Sequence, residues 1–499
     1  MTDDQPVTKP VAAPVTEPVA APAPVFVPAL DLTQPRRVHV VGIGGAGMSA
    51  IATVLASMGH QVSGSDLKDS SGLERLRSLG VVVAIGHDVA NLPSHLDVVT
   101  ISTAVPATNP EVVAALERGL PVLRRADSLA AIAATRQAVA VAGTHGKTTT
   151  SSMLALVLIE AGLRPSFIIG GDVNEIGSGA AWDQGDLLVV EADESDGTFL
   201  ELPRRAAIVT NLEPDHLEFY GGFDALKAAF VRFVAETPGP RVVCADDPLA
   251  AELARAAGAT TYGTDPAADY QMVDLQGGRS GSTFSLVHDG VTLGPLHLPI
   301  AGAYNARNAT AALVMGLELG VSFEAGRAAL ARFAGVARRF EHRGEIGGVT
   351  FIDDYAHLPS EVSSVLAAAR EGAWSRVVCV FQPHRYSRTE ALWPDFADAF
   401  GDADLLVVTD IYPSGEAPRP GISGQLVAQA VLDAHPWRRL AYLPRRSDIV
   451  GYLAQELRAG DLCLTLGAGD LTSLPEEVQM HLRRRLLDPL GGRVTARLL

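Results

Sequence analysis

The sequence predicts an α/β protein of about three domains built on doubly wound sheets, and three observations carry that expectation. Short apolar runs that read as buried strands recur along the chain, and each ends in polar residues, which is how such sheets present their working groups. Two of these runs open into glycine-rich loops followed by helix-like stretches, at Gly42–Gly47 and at Gly143–Gly146. The 499 residues give length for about three domains.

Composition bounds the partners. With 47% hydrophobic and 19% charged residues, the chain has apolar material for several cores. A net charge of −17 works against nucleic acid or an anionic membrane as partner, and it requires any site for an anionic substrate to be locally basic. Cys244, Cys379 and Cys463 stand far apart in apolar runs, without metal spacing. That pattern is expected of buried thiols in a reducing cytosol, so a cytoplasmic location is expected. No apolar run approaches the ~18 residues of a membrane span.

Residues 1–35 are mostly Pro, Ala, Val and Thr, with prolines recurring from Pro6 to Pro35. Repeated proline forbids helix and strand pairing, so an extended, disordered tail is expected. Asp3 and Asp4 sit where a secretory signal would carry positive charge.

Order is expected from Arg36, in a first domain spanning 36–137. Val38–Val41 reads as a strand, followed by Gly42-Ile43-Gly44-Gly45-Ala46-Gly47, a helix-like run from Met48 to Met58, and a strand Gln61–Gly64 ending at Ser65-Asp66. This fits a dinucleotide fingerprint, in which glycine backbone approaches a diphosphate and Asp66 stands where an acid reads ribose hydroxyls. A nicotinamide oxidoreductase and a purely structural glycine turn are the alternatives. A complete nicotinamide fold needs two βαβαβ halves, and the next glycine-loop strand begins at Ala138, about a hundred residues on. That space suits one nucleotide-diphosphate site better.

The second domain is expected over 138–336. Its first strand runs into Gly143-Thr144-His145-Gly146-Lys147-Thr148 and then a helix-like stretch from Thr149 to Ala161. A triphosphate cradle is built this way: backbone N–H groups and the helix N-terminus face phosphate, lysine neutralises charge, and the Thr148 hydroxyl meets the magnesium that accompanies ATP. Only Thr144 and His145 separate Gly143 from Gly146, where the general phosphate-loop pattern has four residues. A Gly/Thr turn between buried elements is the alternative. Leu187–Val190 ends in Glu191-Ala192-Asp193-Glu194-Ser195-Asp196, and Ala207–Thr210 ends in Asn211-Leu212-Glu213-Pro214-Asp215-His216. A carboxylate at a strand end beside a phosphate loop completes a magnesium site, and Glu191 is the first candidate. A solvated turn is the other reading of that acidic run.

A third domain is expected over 337–499. Its strands Val377–Phe381, Leu405–Thr409 and Leu462–Leu466 end in Gln382–Arg388, Asp410–Glu416 and Gly467–Asp470. His384, Arg385 and Arg388 after one strand look like an anion clamp, against the alternative of structural loop residues.

Ile43 with GGAGM (Gly44–Met48), AGTHGKTTT (Ala142–Thr150), EADESD (Glu191–Asp196), TNLEPDH (Thr210–His216), RRFE (Arg338–Glu341), DDYAH (Asp353–His357), FQPHRYSRT (Phe381–Thr389) and YPSGEAP (Tyr412–Pro418) occur in one order. Together they resemble the Mur ligases of peptidoglycan synthesis, in the alanine-adding branch, over essentially the whole chain after the tail. The resemblance implies an N-terminal Rossmann-like domain holding a UDP-sugar, a central P-loop-type ATP-binding α/β domain, and a C-terminal Rossmann-like domain closing over both. It implies that ATP, with Mg2+, activates the carboxylate of UDP-N-acetylmuramate as an acyl phosphate, which the amine of L-alanine attacks. Cell shape and division would depend on the product.

The resemblance also implies roles. Lys147, His216 and His384 would act in the reaction, and Thr148, Glu191 and His216 would hold the metal. Gly143, Thr144, His145, Gly146, Lys147, Thr148 and Thr149 would cradle ATP, with Asn308 at adenine, Arg339 at the phosphates and Asp354 at the ribose. Gly42, Gly44, Gly45, Ala46, Gly47, Ser65, Asp66 and His87 would bind the UDP-sugar, and Tyr355, His357, Arg385 and Arg388 the amino acid. Two positions depart from the family pattern: Tyr304 stands where a histidine is usual before Asn305, and Leu358 replaces a second histidine after His357. Lys227 is not assigned the carbamylated-lysine role found in other branches. The rival readings are a recycling ligase that adds a tripeptide to the same UDP-sugar, a nicotinamide-dependent oxidoreductase, and a non-catalytic nucleotide-binding protein.

Overall fold

The computed structural model describes residues 30–487. The tail expected over 1–35 lies outside the described residues up to residue 29. For residues 30–35 the expectation is corrected: Leu32 is buried in a core that runs through the first and central domains, with Leu30 packed against it. The Arg36 side chain donates to the Asp31 carbonyl, fixing the entry of the chain.

Three sheets organise the described chain. The first has five parallel strands in the order Val82–Ile85, Gln61–Asp66, Arg37–Val41, Val98–Ile101, Val122–Arg124. The chain's first strand is central, with the sheet growing outward on both sides. Its C-terminal end, where Gly42 begins, is therefore the switch point at which such sheets leave a crevice. The helix Ala46–Ser57 starts there and buries Met48, Ile51, Val54 and Leu55 against the sheet.

The second sheet has ten strands. Its parallel middle is formed by Gln137–Ala142, Leu187–Glu191, Ala206–Val209 and Arg241–Cys244, whose near-continuous apolar sequences fit strands covered on both faces. Each edge is antiparallel. Ser166–Val173 pairs with Ser178–Ala181, and Tyr270–Gly278, Gly281–His288 and Val291–Leu298 form a meander. Inward Tyr270, Met272, Phe284, Leu286, Leu296 and Leu298 give that meander one apolar face. The helix Lys147–Glu160 is buried on nearly every side from Thr148 to Leu158, because the helices Ala303–Glu318 and Phe323–Leu330 pack over it.

The third sheet orders Glu341–Ile346, Val349–Asp354, Asp461–Leu466, Arg376–Phe381, Leu405–Val408 and Leu440–Tyr442. Its first pair is antiparallel and the rest are parallel. Cys379 and Cys463 lie in its core and Cys244 in the central one, all as free, buried thiols.

Candidate active site

The phosphate loop is shaped by the loop that leaves the adjacent strand. The His145 N–H donates to Asn211 Oδ1 (2.8 Å) and the Glu213 N–H donates to Thr144 Oγ1 (2.9 Å). Gly146 caps the helix Lys147–Glu160 with φ +81°, and a Cβ there would lie 2.5 Å from Asn308 Oδ1. Both the left-handed conformation and the approach of Asn308 demand glycine. His145, Gly146, Thr149, Asn308, Arg339 and Asp354 line one cavity of about 260 Å³ between the central and third domains. Six residues expected at ATP from distant parts of the sequence thus share one space. Tyr304 lines it too, and its hydroxyl is buried without a hydrogen-bond partner among the described residues. Burial pushes the Asp354 carboxyl up to about 6, although Arg339 and the N–H groups of Ala356 and Phe340 favour its charge.

Lys147 Nζ lies 2.9 Å from both Glu194 oxygens and donates to the Gly143 carbonyl (2.7 Å). Burial opposes the ammonium charge, but Glu194, Asp193 and Glu191 hold its pKa above the usual value. Glu194 is pushed up to about 7, by burial first and with Asp193 adding to it against the pull of Lys147. Glu194 was visible in sequence only as one carboxylate of an acidic run. What singles it out is the ammonium beside it.

Thr148 Oγ1 donates to the Glu191 carboxylate at 3.1 Å, and the Gly170 N–H holds Glu191 Oε2 at 2.8 Å. A hydroxyl and a carboxylate at the mouth of a phosphate loop are hard oxygen donors of the kind Mg2+ prefers. Among the described residues no cluster of three His, Cys, Asp or Glu side chains is arranged around a metal position. His216 pairs with its chain neighbour Asp215. Its backbone is left-handed (φ 54°) and its Nε2 closes on Asp215 Oδ2 at 3.3 Å.

Around the first glycine loop, the N–H groups of Gly42 and Ile43 donate to the Ser65 carbonyl, and the Gly44 N–H donates to Asp66 Oδ2 (2.8 Å). Asp66 therefore braces the loop. Gly45, Ala46 and Gly47 present the N-terminus of the helix Ala46–Ser57. The Ser65 side chain departs from expectation: it is fully buried, donating to Glu111 Oε2 (2.5 Å) and bonded to His87 Nδ1 (2.9 Å). It supports the site from beneath. Glu111, which the sequence reading missed, also meets His39 and Asn91, and these bonds outweigh burial to hold its carboxyl down at about 2. A second cavity, of about 160 Å³, is lined by Ala46 and Gly47 of this loop together with Arg125, Gly170, Glu191 and Asp193. Arg125 is a further missed residue, and its only sequence signal is its place just after an apolar strand. Gly44→Val puts a side chain where the first atom already lies 2.9 Å from Asp66 Oδ2. By the roles the resemblance implies, it is expected to weaken UDP-sugar binding about tenfold or more while leaving ATP affinity nearly intact, as calorimetry with each ligand would check.

In the third domain, His384 stacks on Tyr412 (ring centroids 5.8 Å) and meets His357 edge-on (5.6 Å), which in turn meets Tyr355 (5.4 Å). Arg388 Nη1 donates to His384 Nδ1 (3.2 Å), and Arg388 Nη2 faces Asp215 Oδ1 of the central domain (3.8 Å). An arginine can only donate, so His384 Nδ1 accepts and Nε2 carries the ring proton. Burial, then the charges of His357, Arg388 and Arg385, push His384 down to about 3, and burial also lowers His357. His384 is a neutral imidazole. Arg385 is exposed with φ 67°, anchored by its N–H to the Tyr412 carbonyl. Leu358 is buried at the start of the helix Pro359–Glu371.

Known proteins resemble this chain in each of its three domains. Residues 37–137 match the "Mur ligase family, catalytic domain", 141–316 the "Mur ligase middle domain" and 338–469 the "Mur ligase, glutamate ligase domain". The UDP-N-acetylmuramate–L-alanine ligase of Acidothermus cellulolyticus is 48% identical over 465 residues, covering 91% of this chain and 97% of the relative. That of Pelotomaculum thermopropionicum is 45% identical over 457 residues, covering 91% and 99%. The crystal structure of UDP-N-acetylmuramate–alanine ligase from Thermotoga maritima is similar at a TM-score of 0.75 with 29% identity, over 91% of this chain and 100% of that one. A murein peptide ligase from Psychrobacter arcticus is similar at 0.65 with 25% identity, over 92% and 100%. With three successive domain models matched and relatives aligned over nearly their full length, the chain belongs to the Mur ligase family.

Proposed function

We propose that the chain uses ATP to join L-alanine to the carboxylate of UDP-N-acetylmuramate, through an acyl phosphate, in the cytoplasmic synthesis of peptidoglycan precursor. The observation that carries this reading is the cavity in which Ala46 and Gly47 of the first glycine loop meet Glu191 beside the phosphate loop. A UDP-sugar held by its diphosphate at the helix N-terminus extends from that loop toward the place where a phosphoryl group is delivered. No helix among the described residues is long and apolar enough to cross a membrane.

A carboxylate is a poor electrophile, and phosphorylation gives it a good leaving group. That step brings anions together, and the chain answers with cations. Lys147 is placed to shift from Glu194 to the transferring phosphoryl group, Arg339 faces the ATP cavity, and Arg125 faces the cavity of the incoming carboxylate. Thr148 and Glu191 would hold Mg2+, which would supply further charge neutralisation at the phosphates. Closure of the third domain then brings the His384–Arg388 pocket to the acyl phosphate and keeps water from hydrolysing it. Neutral His384, with Nε2 protonated, serves there as a hydrogen-bond donor.

The direct test is ADP release from the purified chain. It is expected to require UDP-N-acetylmuramate and L-alanine together. Release with a tripeptide in place of L-alanine would move the reading to the recycling ligase, and a cofactor absorbance change without ATP would move it to an oxidoreductase. ATP binding without turnover under any of these conditions leaves a regulatory nucleotide-binding protein. Within the ligase reading, Arg385 and Arg388 form the carboxylate clamp for alanine. Arg388→Lys loses the planar donor that spans His384 and Asp215, so it is expected to raise KM for L-alanine about tenfold with little change for ATP. Arg385→Lys is expected to have the smaller effect, since that side chain is exposed. Unaltered alanine kinetics in both variants would remove the clamp assignment.

A further inference from the structure

A polar junction ties the phosphate loop to the third domain. His145 Nδ1 lies 3.1 Å from Glu361 Oε1, at the start of the third-domain helix Pro359–Glu371, and His145 Nε2 lies 3.2 Å from Glu213 Oε2 of the central domain. Ser360 Oγ, next to Glu361, donates to the same Glu213 oxygen at 2.6 Å. The other Glu361 oxygen accepts from the N–H groups of His357 (2.9 Å) and Leu358 (3.1 Å). One carboxylate therefore caps its own helix and reaches across the domain boundary with its free oxygen. The side chains of His145 and Glu361 are 16% and 12% exposed, so water screens the contact little. Arg388 facing Asp215 secures the far end of the same central-domain loop.

We infer that His145 is a charged latch between the phosphate loop and the third domain, and that Glu361 is the positioning residue that closes it. Carboxylates only accept, so the oxygens at 3.1 and 3.2 Å from the two ring nitrogens favour a proton on each. Ser360 Oγ, 3.4 Å from Nε2, gives its own proton to Glu213 at 2.6 Å, and the arrangement suits an imidazolium. Its charge belongs to the junction rather than to a proton-transfer step. The loop that cradles phosphate is thereby joined to the domain carrying the His384–Arg388 pocket, so ordering one orders the other. The inference deepens the ATP-dependent reading above and rests on it for its role, though not for its existence.

The pH dependence follows from the groups facing His145. These are Glu213 on the central domain and Glu361 on the third, with Arg339 and His357 acting on Glu361 and Asp354 beyond it. Burial opposes the charge, but Glu361 and Glu213 push His145 from 6.5 up to about 9. The contribution of the latch is full below about 6.5 and is lost as pH rises through about 9.

The test uses the full chain without nucleotide. Histidine-selective NMR, with His145→Gln assigning the resonance, is expected to show His145 titrating near 9 in the parent and at least about one unit lower in Glu361→Gln. Small-angle scattering is expected to show the third domain moving away above that pH in the parent, and already at neutral pH in the variant. Under turnover, Glu361→Gln is expected to raise KM for both ATP and L-alanine by about three- to tenfold, more than that for the UDP-sugar, and Glu361→Asp to recover part of the loss. An unchanged His145 titration or an unchanged scattering profile in Glu361→Gln overturns the latch. If that variant fails to fold, Glu213→Gln must lower the same titration, and its failure to do so overturns the latch equally. Titration and scattering need no turnover, so absence of ligase activity would count against the proposed reaction and leave the latch to be judged separately.

Discussion

Lys147→Ala is expected to lower kcat by about a hundredfold or more, with a much smaller change in the KM for ATP. The argument starts from where the ammonium is held. With Nζ at 2.9 Å from both Glu194 oxygens and bonded to the Gly143 carbonyl, its charge is already balanced before any phosphate arrives. Binding ATP exchanges one set of anionic partners for another, which makes the ground-state gain small. As the γ-phosphoryl group transfers, charge builds on its oxygens, and only then does a fixed ammonium gain more than it gave up. Removing Lys147 also leaves Glu194 buried without its counter-charge. Its carboxyl, already raised to about 7, is expected to take up a proton at neutral pH. The variant should therefore fold, and thermal melting against pH would check this. Single-turnover measurement of ADP formation decides the main point: a rate within threefold or so of the parent would remove Lys147 from the phosphoryl-transfer step.

Glu191→Gln is expected to have the second largest effect, raising the Mg2+ concentration for half-maximal activity by on the order of a hundredfold. Glutamine keeps the shape and can still accept the Gly170 N–H, so the strand end and the loop should stay in place. What it loses is the negative charge beside Thr148 Oγ1, the feature by which this pair would hold a hard cation. The charge effect is thus separated from a structural one. ADP release titrated with Mg2+ gives the shift directly. An unchanged metal requirement, with ATP binding intact, would place the metal elsewhere. His216→Ala supplies the comparison. With its ring closed on Asp215, it is expected to cost less than Glu191→Gln.

Much of this protein is legible in its sequence, for a definable reason. Loops such as Gly42–Gly47 and Thr144–Thr149 work through their own backbone, so residue type and spacing carry the chemistry and one chain suffices to read it. Buried parallel strands such as Leu187–Val190 declare themselves by continuous apolar sequence and by the polar residues that end them. The α/β class and the family follow from those local signals. The meander Tyr270–Leu298 alternates inward and outward residues just as locally, but it carries no motif that sets it apart in the sequence.

What the tertiary structure alone decided is which distant residues become partners. Glu194 owes its role to the order of strands that sets Leu187–Glu191 beside Gln137–Ala142 and so brings a carboxylate to Lys147. Glu111 serves the first glycine loop only because Val98–Ile101 pairs beside Arg37–Val41, leaving the helix Pro110–Glu117 beneath Ser65 and His87. Glu361 and Asp215 acquire their partners across a domain boundary. A charged side chain in a loop looks the same in sequence whether it is solvated or buried against an opposite charge. Only the fold removes the water, and with the water gone the partner, and the protonation state it imposes, are fixed.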